Sequence, residues 1–299
     1  MTAMRRAAIC IGSNAVRMLV ADQADGMTVN VARFRNDVRP FEGLTDSGFT
    51  GESIERVTAA VRDMLERASR LDAARAGIVA TSAVRDAANA DDLAGRLAAS
   101  TGLTLCVLTG EEEARLSYLG CAPDDTYGVV DIGGGSTEIA YSFENVVITT
   151  SMQIGAVRLA QSIEGLDEKN VSDVRSEMIR SISDRMPRTG MPARWVGVGG
   201  TCTTLARIST SGSRQIERCA LKLGEVERIS DFLHAMPHCE RVNVPGLSAK
   251  RADIIVPGAW IVSALMRALG VDELTITERG NLDGIMAYQP ERYKEMGLK

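Results

Sequence analysis

One short pattern occurs twice in this chain, and it restricts the possible folds more than any other feature of the sequence. The segments AAICIGSNAVRMLVAD (7–22) and GVVDIGGGSTEIAYS (128–142) each hold an apolar run, an Ile-Gly pair with small polar residues, and a second apolar run. Two such runs joined by a glycine-bearing turn are typical of a β-hairpin. A third strand-like run follows each hairpin, at 27–34 and 145–152. The sequence therefore predicts two copies of a three-stranded unit.

Segments with helical periodicity alternate with short apolar runs after each copy. In the first half we predict a helix over 51–70, a strand over 77–80, a helix over 91–100 and a strand over 103–109. In the second half we predict helices over 155–165, 168–186, 201–210, 223–235, 249–270 and from 281, with strands over 194–199 and 273–277. Thr109 and Glu112 also have the spacing of a capping box at the start of a helix.

This alternation after two hairpin units predicts the α/β class, as a duplicated fold with a cleft between its halves. The length of 299 residues suits two domains of ordinary size. We place the boundary within APDDT (122–126), so that the predicted domains are 1–123 and 124–299.

The charge and hydropathy of the chain argue against several classes of partner. The net charge is −5, so no overall attraction to nucleic acid or to an anionic membrane is expected. The longest apolar stretch, 254–266, contains Pro257 and is shorter than the roughly 20 residues that span a bilayer. The first residues reach a turn too early to form a signal peptide. We therefore expect a cytoplasmic protein with no nucleic-acid and no membrane partner.

The six cysteines are far apart and form no CxxC pair. Most lie in apolar runs, and we interpret them as free core thiols in a reducing compartment. His234, His238 and Cys239 have a spacing that could hold a metal on a helix, but two histidines in a PHCE loop are a thin ligand set. We therefore do not predict a zinc site there.

The second hairpin carries two acids that face each other. If the chain turns at Gly134 and Gly135, then Asp131 and Glu138 lie opposite each other, with Cβ atoms about 5 Å apart. Two carboxylates this close repel unless a cation joins them, and Mg²⁺ favours such a pair together with waters and phosphate oxygens. The turn amides, with Ser136, would form a nest for phosphate. The alternative is an ordinary glycine hairpin with exposed acids.

The first hairpin carries different groups at the matching positions. The same pairing sets Cys10 opposite Arg17, with Gly12, Ser13 and Asn14 at the turn. The acid pair is absent here. We therefore predict that the first copy offers hydroxyl, amide and guanidinium groups to a phosphate, while the second copy holds the metal.

Two further segments carry charged residues in unusual positions. In ATSAVRDAAN (80–89), Arg85 lies at a strand-to-helix transition, where amides and a guanidinium suit a phosphate. Such turns are often only helix caps. EEEAR (111–115) opens a helix, where acids interact favourably with the helix dipole, and only one of them would need to face the cleft.

Eight short motifs follow one another along nearly the whole chain. They are IGSNAVRMLV, ATSAVRDAAN, TGEEEARLSYLG, VVDIGGGSTEIA, IGAVRL, VGVGGTCTTLA, RADIIVPGA and LTITERGNLDG. In this order they resemble the motifs of the exopolyphosphatase and guanosine pentaphosphate phosphatase (Ppx/GppA) family, within the actin-like superfamily. Any one glycine motif would be a weak signal, but eight in order are a strong one.

The resemblance implies a two-domain, actin-like fold of the ribonuclease H-like (ASKHA) type, and hydrolysis of a terminal phosphoanhydride. It also implies that Glu113 is the general base for the attacking water, and that Asp131 and Glu138 hold Mg²⁺, with Mn²⁺ as an alternative. The residues that it implies for phosphate binding are Gly12, Ser13, Asn14, Arg85, Gly133, Gly134, Gly135 and Ser136. Weaker candidates for substrate binding are Arg17, Arg251, Gly199 and Gly200.

Three positions depart from the family pattern. Cys10 stands where the family usually has an aspartate, Ala15 where it often has a serine, and Leu282 where it has an arginine. A thiol binds Mg²⁺ poorly, so the change at Cys10 predicts weaker activity or an altered metal preference. The alternative interpretation of Cys10 is a small buried residue in a strand.

The resemblance thus implies an exopolyphosphatase that acts on inorganic polyphosphate, with guanosine pentaphosphate or tetraphosphate as a further substrate or a regulator. Longer relatives carry additional helical C-terminal domains, so we expect this chain to prefer short polyphosphates. Two alternatives remain. One is a catalytically weakened sensor that binds ppGpp or polyphosphate, and the other is a kinase, in which Glu113 would have no obvious use. Homodimers are common by base rate, but the sequence carries no interface signature.

Overall fold

The computed structural model of the protein describes residues 4–24, 27–122, 124–187, 189–213 and 215–287. The chain divides into two compact units. The first runs through Gly120 and resumes at Asn281, and the second spans Cys121–Gly280. The predicted boundary at residue 123 lies close to this division, but the segment Asn281–Ala287 was predicted as part of the second domain and belongs to the first unit.

Each half of the chain begins with three consecutive strands, and helices and further strands follow them. From β1 to α4 the helices and strands are β1 (Met4–Ile11), β2 (Val16–Ala24), β3 (Met27–Asn36), β4 (Leu44–Thr45), β5 (Gly48–Phe49), α1 (Gly51–Arg70), β6 (Arg75–Ala80), α2 (Ser82–Arg85), α3 (Ala90–Thr101), β7 (Leu105–Val107) and α4 (Gly110–Cys121). They continue with β8 (Tyr127–Ile132), β9 (Thr137–Phe143), β10 (Val146–Met152), α5 (Ala156–Ile163), α6 (Glu168–Arg185), β11 (Arg194–Val198), α7 (Gly199–Ser209), β12 (Cys219–Lys222), α8 (Leu223–Ala235), α9 (His238–Arg241), α10 (Ile255–Leu269), β13 (Glu273–Ile276) and α11 (Asn281–Ala287).

The sheets of the two units have the same plan. In the first unit the strand order is β3-β2-β1-β6-β7, with antiparallel pairing from β3 to β1 and parallel pairing from β1 to β7. In the second unit β10-β9-β8-β11-β13 repeats this order and these directions, and β12 adds an antiparallel strand at the edge. The duplicated, actin-like α/β fold predicted from the sequence is therefore confirmed.

The strand register inside both hairpins agrees with the prediction. Cys10 pairs with Arg17 in the first hairpin, and Asp131 pairs with Glu138 in the second. Residues directly opposite each other on neighbouring strands have their side chains on the same face of the sheet. Each predicted pair is therefore present, and it follows from the register of its hairpin.

Two helices begin at the caps that their sequences favour. The side chain of Thr50 accepts a hydrogen bond from the Ser53 amide at 3.2 Å, and α1 begins one residue after it, as predicted. At α4 the Thr109 amide donates to Glu112 Oε2 at 2.8 Å, and the Glu112 amide donates to Thr109 Oγ1 at 3.2 Å. The predicted capping box is therefore formed, and it satisfies two backbone donors at the helix start.

Each sheet has its own apolar core. In the second unit α10 is buried along most of its length and packs in one cluster with Trp195 of β11. In the first unit Leu116 of α4 packs in one cluster with Ala8 of β1 and with Leu282 and Ile285 of α11. This packing explains why α11 belongs to the first unit, which its position in the sequence did not indicate.

The helix predicted over 249–270 begins later than expected. A single turn of 3-10 helix covers Ala249–Arg251, and α10 starts at Ile255. Pro257 lacks an amide hydrogen and is tolerated only in the first turn of a helix, so the helix cannot start much earlier. Strand β12 was not predicted, because four residues carry little periodicity. Within the described ranges no helix, α10 included, is long and apolar enough to cross a bilayer.

The cysteines are free, as expected, but they are not all in the core. Cys10, Cys121 and Cys202 are buried, and Cys106 and Cys219 are partly buried. Cys239 is exposed, so its interpretation as a core thiol was wrong. It lies in the short, polar α9, which has no buried residue.

Candidate phosphate and catalytic sites

In the turn between β1 and β2 the carbonyls accept hydrogen bonds, whereas three successive amides donate none within the described residues. The Gly12 amide donates to the Ala15 carbonyl at 3.0 Å, and the carbonyls of Ser13 and Asn14 accept from amides of the loop over 39–41 at 2.9 and 3.1 Å. Within the described residues, the amides of Ser13, Asn14 and Ala15 donate no hydrogen bond. Both polar atoms of the Asn14 side chain are buried, and neither makes a hydrogen bond to a described residue.

The turn between β8 and β9 repeats this geometry. The Gly133 amide donates to the Ser136 carbonyl at 3.0 Å, and the carbonyls of Gly133 and Gly134 accept from the first amides of α5 at 2.8 to 3.0 Å. Arg158 Nε donates to the Gly135 carbonyl at 2.8 Å. In the part of the chain that the structure describes, the amides of Gly134, Gly135 and Ser136 donate no hydrogen bond.

Each turn therefore offers three successive N–H groups whose carbonyls are already engaged elsewhere. Successive amides in such a turn form a concave nest that suits a phosphate oxygen. The predicted phosphate-binding residues of the two turns thus lie together in each unit, and the two nests are structural equivalents.

The two acids of the second hairpin are buried rather than exposed. Asp131 is 8% exposed and Glu138 is 1% exposed. Ser151, opposite Glu138 on β10, donates its hydroxyl to Glu138 Oε1 at 2.9 Å. The alternative of an ordinary hairpin with exposed acids is therefore excluded. Burying two neighbouring carboxylates is costly unless a cation or hydrogen-bond donors compensate for their charge.

The donor set of this pair suits a hard divalent cation. Asp131 and Glu138 supply carboxylate oxygens from one face of the sheet, which matches the one or two carboxylates with which Mg²⁺ is commonly bound. Within the described ranges, no group of three or more His, Cys, Asp or Glu side chains is arranged so that it could hold a metal ion by itself. Waters and phosphate oxygens would complete the coordination.

The start of α7 comes close to Asp131. Gly199 has φ +87°, in the left-handed region, and a β-carbon there would lie 2.8 Å from Asp131 Oδ1. The next residue, Gly200, lies under the guanidinium of Arg251, because a β-carbon built on it would fall 1.9 Å from Arg251 Nη2. Of the weaker candidates, Gly199 is therefore a neighbour of Asp131, and Gly200 and Arg251 are neighbours of each other.

Only one of the three acids at the start of α4 is buried. Glu111 and Glu112 are exposed, whereas Glu113 is 7% exposed. Arg85 Nη1 lies 3.5 Å from Glu113 Oε2 and donates to the Leu108 carbonyl at 2.7 Å. Arg85 Nη2 is buried and makes no hydrogen bond to a described residue. The predicted base and the predicted phosphate ligand thus lie side by side.

Cys10 lies in a small polar cluster under the first hairpin. Its Sγ is 3.7 Å from Arg17 Nη2 and 3.7 Å from Asn281 Nδ2, and Arg17 Nη2 is 3.3 Å from Asn281 Oδ1. Burial raises the pKa of the Cys10 thiol, the Arg17 charge lowers it, and the Glu113 charge raises it. The thiol is therefore neutral near pH 7, unlike the aspartate that the family pattern favours here.

Sequence reasoning missed three polar partners of these sites, namely Ser151, Arg158 and Asn281. The register of β9 against β10 could have identified Ser151, which faces Glu138. Asn281 lies within one of the motifs but contacts residues far away in the sequence, and no local pattern indicates that contact. His234, which we considered as a metal ligand, packs its ring against Trp260 at 5.6 Å between centroids.

Comparison with known proteins agrees with the family resemblance seen in the sequence. The chain matches the Ppx/GppA phosphatase family over residues 19–291. It is 34% identical over 316 residues to exopolyphosphatase 2 of Mycobacterium tuberculosis, covering 95% of this chain and 98% of that protein. It is 28% identical over 302 residues to exopolyphosphatase 1 of Mycobacterium leprae, covering 95% of this chain and 88% of that protein. The Ppx/GppA family member of Aquifex aeolicus is 26% identical, with a TM-score of 0.79, over 98% of this chain and 99% of that structure.

Proposed function

Because the chain belongs to the Ppx/GppA phosphatase family, and is therefore a phosphoanhydride hydrolase, we propose that it releases the terminal phosphate of inorganic polyphosphate. Guanosine pentaphosphate, which is also a linear phosphoanhydride, is the second substrate in this proposal. The observation that carries it is the matched pair of turns, each with three amides free to bind an anion among the described residues. Polyphosphate presents phosphate oxygens along its whole length, which suits a repeated amide nest.

The residues present supply what phosphoryl transfer requires. This reaction is catalysed chiefly by positioning and by charge stabilisation. Arg85 would place a guanidinium on the phosphate oxygens, and Glu113 would align and deprotonate the attacking water. The water oxygen bonds to the terminal phosphorus, its proton passes to the Glu113 carboxylate, and the bond to the bridging oxygen breaks. The products are inorganic phosphate and a polyphosphate that is one unit shorter.

Asp131 and Glu138 would hold Mg²⁺, with Mn²⁺ as an alternative. When bound, the cation supplies positive charge that offsets the charge on the transferred phosphate. Ser151 would keep the Glu138 carboxylate in a fixed orientation through its hydrogen bond. The support for this assignment is the burial of both acids and their direct pairing across the hairpin.

The preference among substrates is part of the proposal. The name of the M. tuberculosis relative favours polyphosphate, and we propose that short chains are preferred. Arg17 and Arg251 would bind phosphates beyond the terminal one. Guanosine tetraphosphate would act as a regulator at these positions, in a cytoplasmic and homodimeric enzyme.

One observation favours a second candidate function, a sensor that binds polyphosphate or ppGpp without rapid turnover. Cys10 offers a neutral thiol in place of a carboxylate, and its neighbours Arg17 and Asn281 already surround it. A site with one acid fewer would bind its ligand but turn it over slowly.

Phosphate release from defined short and long polyphosphates and from guanosine pentaphosphate, with and without Mg²⁺, tests the proposal. We expect release that requires the metal and is fastest with short polyphosphate. Tight binding without release would instead support the sensor. Phosphorylation of a small acid or sugar from ATP, measured in the same preparation, would overturn the hydrolase in favour of a kinase.

A further inference from the structure

The last described helix touches the helix that carries Glu113. Gly284 of α11 lies against the backbone of α4, because a β-carbon built on it would fall 1.9 Å from the Leu116 carbonyl oxygen and 2.7 Å from the carbonyl carbon. Real β-carbons essentially never come within 3.0 Å of another heavy atom. The obstacle is backbone rather than a flexible side chain. Any residue larger than glycine at this position therefore forces one of the two helices to move.

Polar contacts on its other side hold α11 in place. The buried Asp283 forms an ion pair with Arg33 of β3, and its Oδ1 accepts a hydrogen bond from Asn30 Nδ2 at 3.3 Å. The Met286 carbonyl accepts from the Thr28 hydroxyl at 3.2 Å. These contacts tie both turns of the short helix to the sheet. A side chain at position 284 would therefore displace α4 rather than α11.

A displacement of α4 at Leu116 reaches Glu113 directly. The two residues are three positions apart, so they lie on the same face of the helix. The hydrogen bonds within the helix make this part of α4 move as a rigid unit. Glu113 is buried, with Oε2 held 3.5 Å from Arg85 Nη1. It has little room to recover its position by a change of rotamer.

We propose that Gly284 is a positioning residue for Glu113, and that the close contact of α11 with α4 determines the position of this proposed general base. The inference rests on the proposed role of Glu113 in hydrolysis. Relief of the contact from 1.9 Å to 3.0 Å needs a shift of about 1 Å, and a misplacement of about 1 Å at a reacting group can cost on the order of a hundredfold in rate.

The test compares Gly284→Ala with Gly280→Ala, a glycine of the same segment whose added methyl group meets nothing within 4 Å. We expect Gly284→Ala to lower kcat for polyphosphate by roughly 10- to 100-fold with little change in KM, because substrate binding does not depend on the base. Gly280→Ala should keep both constants. A Gly284→Ala enzyme with unchanged kcat would overturn the proposal.

A double-mutant comparison separates positioning from general damage to the fold. In a Glu113→Gln enzyme the displaced group is already inactive, so adding Gly284→Ala should leave the residual turnover unchanged. An equal fold-loss in both backgrounds would overturn the positioning role while leaving the proposed function intact. Full turnover by Glu113→Gln alone would overturn the proposed role of Glu113, and the positioning role with it.

A second variant covers the case in which Gly284→Ala does not fold. Asp283→Asn removes the charge that holds Arg33 and so loosens α11 without adding a heavy atom. We expect a smaller loss of kcat at unchanged KM, again absent in the Glu113→Gln background. A loss that is the same in both backgrounds, or that falls on KM, would contradict the positioning role.

Discussion

Burial separates the proposed catalytic and metal-binding residues from their exposed neighbours. Of the three successive acids at the start of α4, only Glu113 is buried, and Asp131 and Glu138 are buried as well. A carboxylate is costly to remove from water unless a cation or hydrogen-bond donors compensate. Removing the charge at these positions should therefore affect function more than removing any exposed acid.

Asp131→Ala leaves Glu138 as the remaining carboxylate of the pair. We expect the affinity for Mg²⁺ to fall by roughly tenfold or more, because the ion loses one of its two protein carboxylates. Titration calorimetry with Mg²⁺ measures this, and Glu111→Gln, which changes an exposed acid on α4, is the control. Unchanged Mg²⁺ affinity in Asp131→Ala would show that the metal binds elsewhere.

Cys10→Asp restores the carboxylate that the family pattern favours. Arg17 and Asn281 already lie within 3.7 Å of the sulfur and would stabilise the new charge. We expect the Mg²⁺ concentration for half-maximal activity to fall, on the order of severalfold, because the family resemblance implies that a carboxylate at this position helps to hold the metal or its waters. The measurement is phosphate release against Mg²⁺ concentration, with Cys10→Ser as the control. If rate and metal dependence stay the same, Cys10 is only a small buried strand residue.

At the scale of single elements, local sequence patterns correctly predicted the features that depend on interactions between residues close together in the chain. The register of Asp131 against Glu138 follows from the hairpin, and the Thr109–Glu112 capping box follows from spacing within one helix start. The contacts of Asn281 with Cys10 and of Gly284 with Leu116 join residues far apart in the sequence. No spacing rule encodes them. For the same reason the unit to which α11 belongs was predicted wrongly.

The turn between β8 and β9, which we propose binds phosphate, is held by α5, and this support is itself testable. Arg158 Nε donates to the Gly135 carbonyl, and its Nη2 donates to Gln153 Oε1 at 2.9 Å. Arg158→Ala frees the carbonyl, so the turn amides are less well oriented. We expect KM for polyphosphate to rise severalfold, which is less than the full cost of losing a charge-assisted hydrogen bond, because the variant misorients the amides rather than removing them; kcat should be nearly unchanged. Arg180→Ala, on the exposed face of α6, is the control, and equal KM values in the two variants would contradict this role.

At the scale of the whole molecule, one structural plan is used twice with different chemistry. The equivalent pairs are Cys10 with Arg17 and Asp131 with Glu138, while Glu113 has no counterpart among the residues predicted in the second unit. Duplication therefore accounts for the shared strand order and the two amide nests. The divergence of the paired side chains predicts that metal affinity depends on the second unit and turnover on Glu113 of the first.

Glu113→Gln tests the central claim most directly. The change keeps the size of the side chain but removes the carboxylate that would accept the proton from water. Phosphate release from short polyphosphate at saturating Mg²⁺ is measured beside equilibrium binding of the same polyphosphate. We expect turnover to fall by about 10² to 10⁴-fold, the usual contribution of a general base, with substrate affinity nearly intact. Turnover close to that of the unmodified enzyme would contradict the claim that Glu113 activates the attacking water.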